Sequence, residues 1–145
     1  MEGNKMDKEI ITFENKNMQL FRNSVSEIDK FRQIKAENID TITKMAGKNI
    51  QLSSDIWDSL INDIRKELPI LYPVLTDNGI LTNQERKVCV LSFLGLQSGE
   101  ISNLLDIKHQ RVSNVRANIN MKLFGFSTAK NLNKNLRGRN VSDKI

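Results

Sequence analysis

The chain has 145 residues, a formal net charge of +5, one cysteine and one histidine. That length is typical of one domain, or of a small domain with an extension. Cys89 alone forms neither an internal disulfide nor a cysteine zinc site, and no apolar run reaches the ~18 residues of a membrane span. The polar residues 1–8 do not have the form of a signal peptide. We therefore expect a cytoplasmic protein without a membrane partner, whose buried Cys89 behaves as a small apolar side chain.

The charge is distributed unevenly along the chain. Residues 80–145 contain 11 Lys/Arg and 4 Asp/Glu, a net charge of +7, whereas residues 1–79 have a net charge of −2. A basic half beside a mildly acidic half indicates that only the C-terminal half meets a polyanion. Basic segments are common, so charge alone does not identify that polyanion as nucleic acid.

A pattern of helical period extends from about residue 9 to residue 45, without Pro or Gly. Its apolar residues recur mostly in steps of three, four and seven: Ile10, Phe13, Leu20, Phe21, Val25, Ile28, Phe31, Ile34, Ile39, Ile42 and Met45. The apolar stripe is narrow, which predicts a long helix over residues 1–48 that pairs with another chain as an interrupted coiled coil. The alternative is a helix folded back on its own chain.

A connecting segment over residues 53–78 follows. Ser53 or Ser54 can cap a new helix, and Pro69 ends it. Trp57, the only tryptophan, has the spacing of a core residue within that helix. A corner that contains Pro69 and Pro73, and then a turn over residues 76–79, lead to the next segment.

Residues 79–137 have the pattern of a four-helix head, which makes the predicted fold all-α. Thr82 and Glu85 form a capping box at the start of the first helix, and Gly95 ends it. Gln97 or Ser98 caps the second helix, the third runs from about His109 to about Leu123, and a last helix covers about 128–137. Residues 138–145 are expected to form a disordered basic tail.

The second and third helices have the offsets of a helix-turn-helix unit. Apolar residues fall where the two helices must pack, with Ser98 as position one of the unit: Ile101, Leu105, Ile107, Val112 and Val115. Ser102 is small where the helices nearly touch. Asp106 stands where the backbone is usually left-handed and Gly is preferred.

The third helix has one apolar side and one polar side. Val112, Val115, Ile119 and Leu123 share the apolar side at 100° per residue. The opposite side contains amides, a hydroxyl, a methyl group and an arginine, which are the groups that read base edges. The predicted DNA-binding residues are Lys108, His109, Gln110, Arg111, Ser113, Asn114, Ala117, Asn118 and Lys122, with Lys108 and Lys122 assigned to phosphates.

Two alternatives stay open at this point. The polar side of the third helix has the composition of a reading surface, but an ordinary solvated face also contains polar residues. Arg116 is phased toward the core, where it pairs with Glu85 or, alternatively, reaches DNA.

The residues of the head resemble the C-terminal DNA-binding domain of LuxR-type (NarL/FixJ-like) bacterial regulators over about residues 81–136. The matching positions are Leu81, Thr82, Glu85, Arg86, Gly95, Glu100, Ile101, Leu104, Leu105, Ile107, Val112, Asn114, Arg116, Asn118, Ile119, Lys122 and Leu123. Five positions depart from the family pattern: Ser102 (usually Ala), Asp106 (Gly), Lys108 (Ser), Ser113 (Lys) and Val115 (His). The resemblance implies a helix-turn-helix fold that binds double-stranded DNA, and the departures alter two customary DNA contacts.

The wider order of elements is similar to the C-terminal part of larger bacterial regulators, in which a sensory part precedes a coiled coil. The expected function is sequence-specific transcriptional regulation by a homodimer, paired through the long N-terminal helix or the last helix. The chain is either a fragment of such a regulator or a stand-alone protein that senses through a partner. The alternatives are a coiled-coil adaptor whose head does not bind DNA, and a module like region 4 of a sigma factor.

An enzyme is not expected. The sequence contains no carboxylate pair at useful spacing, no metal-ligand cluster, no Gly-rich phosphate loop and no nucleophile beside a base. We accordingly expect no cofactor and no metal.

Overall fold

A computed structural model describes residues 15–76 and 79–139, and these residues form helices and connecting segments without a β-strand. The all-α prediction is confirmed. The helices are α1 (Lys16–Asn23), α2 (Val25–Ile34), α3 (Ala36–Gly47), α4 (Ser54–Glu67), α5 (Tyr72–Thr76), α6 (Asn83–Phe93), α7 (Ser98–Leu105), α8 (His109–Phe124) and α9 (Leu132–Leu136). Within the described ranges, no helix combines the length and the apolar character needed to cross a bilayer.

Some predictions fall outside the described residues. These are the polar start at residues 1–8, the first part of the apolar stripe with Ile10 and Phe13, two residues of the 76–79 turn, and residues 140–145 of the basic tail.

The long helix predicted over residues 1–48 is divided into α1, α2 and α3. The breaks are at Ser24 (φ −106°, ψ 12°) and Lys35 (φ −97°, ψ 15°), where the backbone leaves the α-helical region. The Ser24 hydroxyl donates to Leu20 O at 2.8 Å, a contact that tends to bend helices. The irregular apolar spacing near Ile34 falls at the second break.

The apolar stripe of these three helices packs into the core of its own chain, as in the alternative of a helix folded back. Phe21 and Phe31 are 0% and 2% exposed. The Phe21 ring lies edge-on to Phe124 of α8, with centroids 5.6 Å apart, and Phe31 lies 6.3 Å from Phe93 of α6. A coiled coil that uses this stripe would require these rings to leave the core.

The N-terminal half of the chain also donates hydrogen bonds to the carboxyl ends of three helices of the head, α6, α7 and α8. The last carbonyls of a helix have no partner within it and need donors from elsewhere. Three such donors come from the N-terminal half: Asn17 Nδ2 to Leu123 O of α8 (2.9 Å), Arg32 Nη2 to Leu94 O just after α6 (3.3 Å), and Leu52 N to Leu104 O of α7 (2.9 Å).

The predicted caps of the later helices are largely found. Ser53 accepts from Ile56 N at the start of α4, and the Thr82–Glu85 capping box opens α6. Trp57 is partly buried against the core, and Pro69 follows the end of α4.

The last helix is shorter than predicted, and the first two residues of the predicted tail, 138 and 139, contact the rest of the structure. Helix α9 starts after Asn131, which adopts a left-handed conformation (φ 65°). Gly138 is buried, and a Cβ there would lie 2.2 Å from Phe21 O. Arg139 forms an ion pair with Asp29 of α2. The start of the predicted tail is thus held against the N-terminal helices.

We predict that Phe21→Ala lowers the free energy of unfolding by about 3–5 kcal/mol, because it removes a fully buried ring from the contact between α1 and α8. Urea unfolding followed by far-UV circular dichroism and by the fluorescence of Trp57 should show one coincident transition, shifted to lower urea.

The matched control is Ile34→Ala, since Ile34 is 55% exposed and its loss should cost no more than about 0.5 kcal/mol. Separate transitions for the two probes, or an unchanged midpoint in Phe21→Ala, would show that the N-terminal helices do not stabilise the head.

Candidate nucleic-acid interface

Helices α7 and α8 are joined by a tight turn whose geometry follows from two residues. Asp106 adopts the left-handed conformation (φ 55°, ψ 49°) that was expected at this position. Ser102 Oγ donates to Ile107 O at 2.5 Å, and Ile107 N donates to Ser102 O at 3.1 Å. The small serine therefore both permits the close approach of the turn and holds it.

The apolar side of α8 is buried as predicted. Val112, Val115 and Ile119 are 0% exposed and Leu123 is 1% exposed. The side contacts α6 and α7, so the opposite side of α8 faces outward. The orientation of the helix is fixed by this burial.

The polar side of α8 is accessible. The residues predicted to meet DNA that are exposed are Lys108, His109, Gln110, Arg111, Asn114, Asn118 and Lys122, and those that are partly buried are Ser113 and Ala117. On a helix at 100° per residue, positions 110 to 118 of this set occupy one side. We call Gln110, Arg111, Ser113, Asn114, Ala117 and Asn118 the outer face of α8.

The outer face carries positive charge without nearby carboxylates on its own helix. Residues 107–124 contain no Asp or Glu. Lys108 and Arg111 stand at the amino end of α8, where the helix dipole adds further positive potential. A phosphate or a base edge that accepts hydrogen bonds is electrostatically favoured there.

Two hydrogen bonds order the side chains of this face. Gln110 Nε2 donates to Asn114 Oδ1 at 3.2 Å, which joins the two amides across one helical turn. Arg111 Nε donates to Gln84 Oε1 of α6 at 2.8 Å. Gln84 was not identified from the sequence, because no local pattern relates two positions that meet only when α6 and α8 cross.

Lys122 has a different environment from the other candidate residues. Its Nζ donates to Glu85 Oε1 at 2.8 Å and to Ile80 O at 3.3 Å. Burial raises the pKa of Glu85, but hydrogen bonds from Lys122 and from Thr82 oppose it, and the net pKa is lowered. In this arrangement Lys122 holds the start of α6 against the end of α8.

Arg116 does not pair with Glu85, the partner considered for it in the sequence. Its Nη1 donates to Ser92 Oγ at 2.6 Å and to Asn133 Oδ1 at 3.0 Å. Burial lowers its pKa. Arg116 therefore joins α8 to α6 and α9, and Lys122 takes the position at Glu85 because it lies farther along α8.

Cys89 lies in the core near Arg116 and Glu85. Its side chain is fully buried, and burial raises its pKa to about 12. The thiol is therefore neutral at physiological pH and is not a nucleophile there. Within the described part of the chain, no group of three or more His, Cys, Asp or Glu residues is arranged to hold a metal ion.

No protein-family model, curated protein or solved structure matches this chain.

We predict that Lys122→Met lowers the free energy of unfolding at pH ~7 by about 1–3 kcal/mol, because the buried Glu85 carboxylate loses its charged donor. A carboxylate with a lowered pKa stabilises the fold above its unfolded pKa, and this contribution is lost as pH falls through the folded pKa. Urea unfolding should therefore show a smaller difference from wild type at pH ~3 than at pH ~7.

Lys134→Met, at an exposed lysine of α9, is the matched control and should leave stability nearly unchanged at both pH values. If Lys122→Met is as stable as wild type at neutral pH, then the contact with Glu85 does not stabilise the fold.

Proposed function

We propose that this protein is a sequence-specific DNA-binding transcriptional regulator of the LuxR-type helix-turn-helix class, with α8 as its recognition helix. The observation that carries the proposal is the outer face of α8. It is accessible, free of carboxylates and rich in amides, while the opposite side of the same helix is fully buried. An α-helix presented in this way fits the major groove of double-stranded DNA.

The outer face contains the side chains that distinguish base pairs. Gln110 and Asn114 have the bidentate donor and acceptor pattern that suits adenine, and Arg111 suits guanine. Ala117 offers a methyl group to thymine. The hydrogen bonds from Gln110 to Asn114 and from Arg111 to Gln84 restrict these side chains before DNA arrives, which reduces the entropy lost on binding.

Lys108 supports the proposal from outside the outer face. It is exposed at the N-cap of α8, a position that contacts phosphate in this docking geometry. Lys122, which is bonded to Glu85, contributes mainly to the fold. Phosphate contacts from this surface fix the position of α8 on the duplex without selecting the sequence.

Dimerisation through the apolar stripe of α1–α3 or through the apolar side of α9 would require exposure of the core. Leu132 and Leu136 of α9 are 0% exposed, and the stripe of α1–α3 is packed on the head. We propose that one chain binds a half-site, and that a homodimer, a sensory partner in the cytoplasm, or a further domain uses surfaces outside these two.

We predict that Gln110→Ala combined with Asn114→Ala weakens binding to the preferred DNA site by about 10- to 100-fold, because the bidentate contacts to bases are lost. The site is first selected from a random duplex library, and affinity is then measured by fluorescence anisotropy. The unfolding midpoint should stay within error of wild type, since both side chains are exposed.

Gln19→Ala combined with Gln33→Ala removes two exposed amides from α1 and α2 and serves as the matched control. Selection of no preferred sequence, or equal affinity of both double variants, would refute sequence reading by α8. It would favour an adaptor whose head does not bind DNA.

We also predict that Lys108→Ala lowers affinity for every duplex to a similar extent and reduces the slope of log K against log salt by about 1. When one phosphate contact is removed, binding releases one counterion fewer from the DNA, whatever the sequence of the duplex. Titrations at several salt concentrations on a preferred and a random duplex measure this slope.

Lys30→Ala, at an exposed lysine of α2, should leave the slope unchanged. A sequence-dependent loss of affinity in Lys108→Ala would instead assign Lys108 to a base contact.

A further inference from the structure

A cavity of about 290 Å³ lies between α3 and α4, away from the outer face of α8. Its wall includes four apolar side chains, Ile42 and Met45 from α3 and Ile56 and Leu60 from α4. The other lining residues are polar or acidic: Asn38, Thr41, Asp55, Ser59 and Asp63. Its size is near the lower end of the range for small-molecule sites, about 300–1,000 Å³. It therefore fits a compact organic molecule rather than a polymer.

The charges at the edge of this cavity have one sign. Asp55 and Asp63 both line it, and no Lys, Arg or His does. They are eight residues apart on α4, which places them about 12 Å apart along the helix axis. Asp63 is bound to Lys35, with Nζ and Oδ2 3.5 Å apart. For Asp55, no ion pair is found with any residue of the described ranges, so its carboxylate is available to a ligand.

An apolar wall with an available carboxylate at one end is complementary to an amphipathic cation. The apolar part of such a ligand is removed from water against Ile42 and Leu60, and the ammonium group stays at the solvated edge beside Asp55. An anionic ligand of the same shape would meet the carboxylate of Asp55, and the nearest cation, Lys35, is already paired with Asp63. A neutral one would gain only the apolar contacts.

We propose that the cavity binds a small organic amine, protonated and with a single ring or short apolar chain. Resting on the proposed function, we further propose that occupancy changes the affinity of α8 for DNA. The cavity is the site of an effector, and Asp55 is the residue that selects the positive charge.

The route from the cavity to the head consists of direct contacts. Ala46 follows Met45 on α3, and its carbonyl accepts from Asn103 Nδ2 of α7 at 3.0 Å. Leu52, in the segment that joins α3 to α4, donates its N–H to Leu104 O of α7 at 2.9 Å. A ligand held between α3 and α4 therefore biases the position of α7, against which α8 is packed. An effector acts only to the extent that it binds the two arrangements differently.

The binding test uses three probes with a similar apolar body and different charge, with the full chain and no DNA present. These are 2-phenylethylammonium, 2-phenylethanol and 3-phenylpropanoate, titrated by isothermal calorimetry at neutral pH. We expect the ammonium to bind best, the alcohol about fivefold more weakly, as for the loss of one exposed charge pair, and the carboxylate not at all. Binding of none of the three, or equal binding of all three, would overturn the proposal.

Three variants locate the site. Asp55→Asn keeps the shape and should weaken the ammonium about fivefold, while leaving the alcohol unchanged. Ser59→Phe, at an exposed position that lines the cavity, should fill it and abolish binding. Asp58→Asn removes an exposed carboxylate of α4 that does not line the cavity and should have no effect. An unchanged affinity in both Asp55→Asn and Ser59→Phe would place binding elsewhere and refute the site.

The regulatory step is tested separately, by DNA titrations with and without saturating 2-phenylethylammonium. We expect a change in DNA affinity of about fivefold or more, absent in Ser59→Phe. Amine binding with unchanged DNA affinity would refute the regulatory step alone. Failure of the ligand-free protein to bind DNA would refute the proposed function and the regulatory step, whereas the amine site is judged by calorimetry.

Discussion

The helices of the head end in carbonyl groups that they cannot satisfy themselves, and the N-terminal half of the chain provides the donors. Each of α6, α7 and α8 receives one hydrogen bond at or next to its carboxyl end, from Arg32, Leu52 and Asn17 respectively. Phe21 and Phe31 are buried beside the same helices. A buried carbonyl that loses its donor costs about 1–3 kcal/mol. The relative position of the three helices thus depends on a segment that lies outside them in the sequence.

Within the outer face of α8, Arg111 bonds to a neighbouring helix, through Gln84 of α6. The other polar groups that join α8 to its neighbours come from its other sides: Arg116 to Ser92 and Asn133, and Lys122 to Glu85. Asn120 is fully buried and donates to Thr128 O and Lys130 O, which fixes the segment before α9. Positions 110, 113, 114, 117 and 118 can therefore change at little cost to stability, as the proposed function requires of a reading surface, whereas 116, 120 and 122 cannot.

Local features of the fold were predictable from the sequence, because they depend on residues close together in the chain. The capping box at Thr82, the cap at Ser53, the left-handed Asp106 and the buried side of α8 all follow from spacing and backbone preference. The break at Ser24 was not predictable in this way, whereas the irregular apolar spacing after Ile34 indicated an interruption near Lys35. Neither residue is a strong helix breaker. The backbone leaves the α-helical region where the Ser24 hydroxyl bonds to Leu20 O, and where Phe21 and Phe31 are both buried against the same head.

The candidate site likewise combines local features that the sequence predicts with contacts between helices that it does not predict. The composition of α8 indicated a reading face, but the partners of its cations depend on how α6 crosses it. The sequence suggested Arg116 as a partner of Glu85 and assigned Lys122 to a phosphate, because helical phasing alone does not show that Lys122 reaches Glu85. Gln84, which holds Arg111, lies 27 positions away in the chain. A contact between residues so far apart in the sequence forms where two helices cross. The apolar periodicity of neither helix indicates it.

The burial of the N-terminal stripe also changes where regulation can act. A coiled coil would have transmitted a signal through a second chain, along residues that here form the core. With that stripe occupied, one route to α7 runs through the same chain, by way of α3 and the segment at Leu52. Both hydrogen bonds to α7 originate there, at Ala46 and Leu52. On the proposal of an effector site between α3 and α4, a change in the packing of these two helices would reach α7 through these two hydrogen bonds.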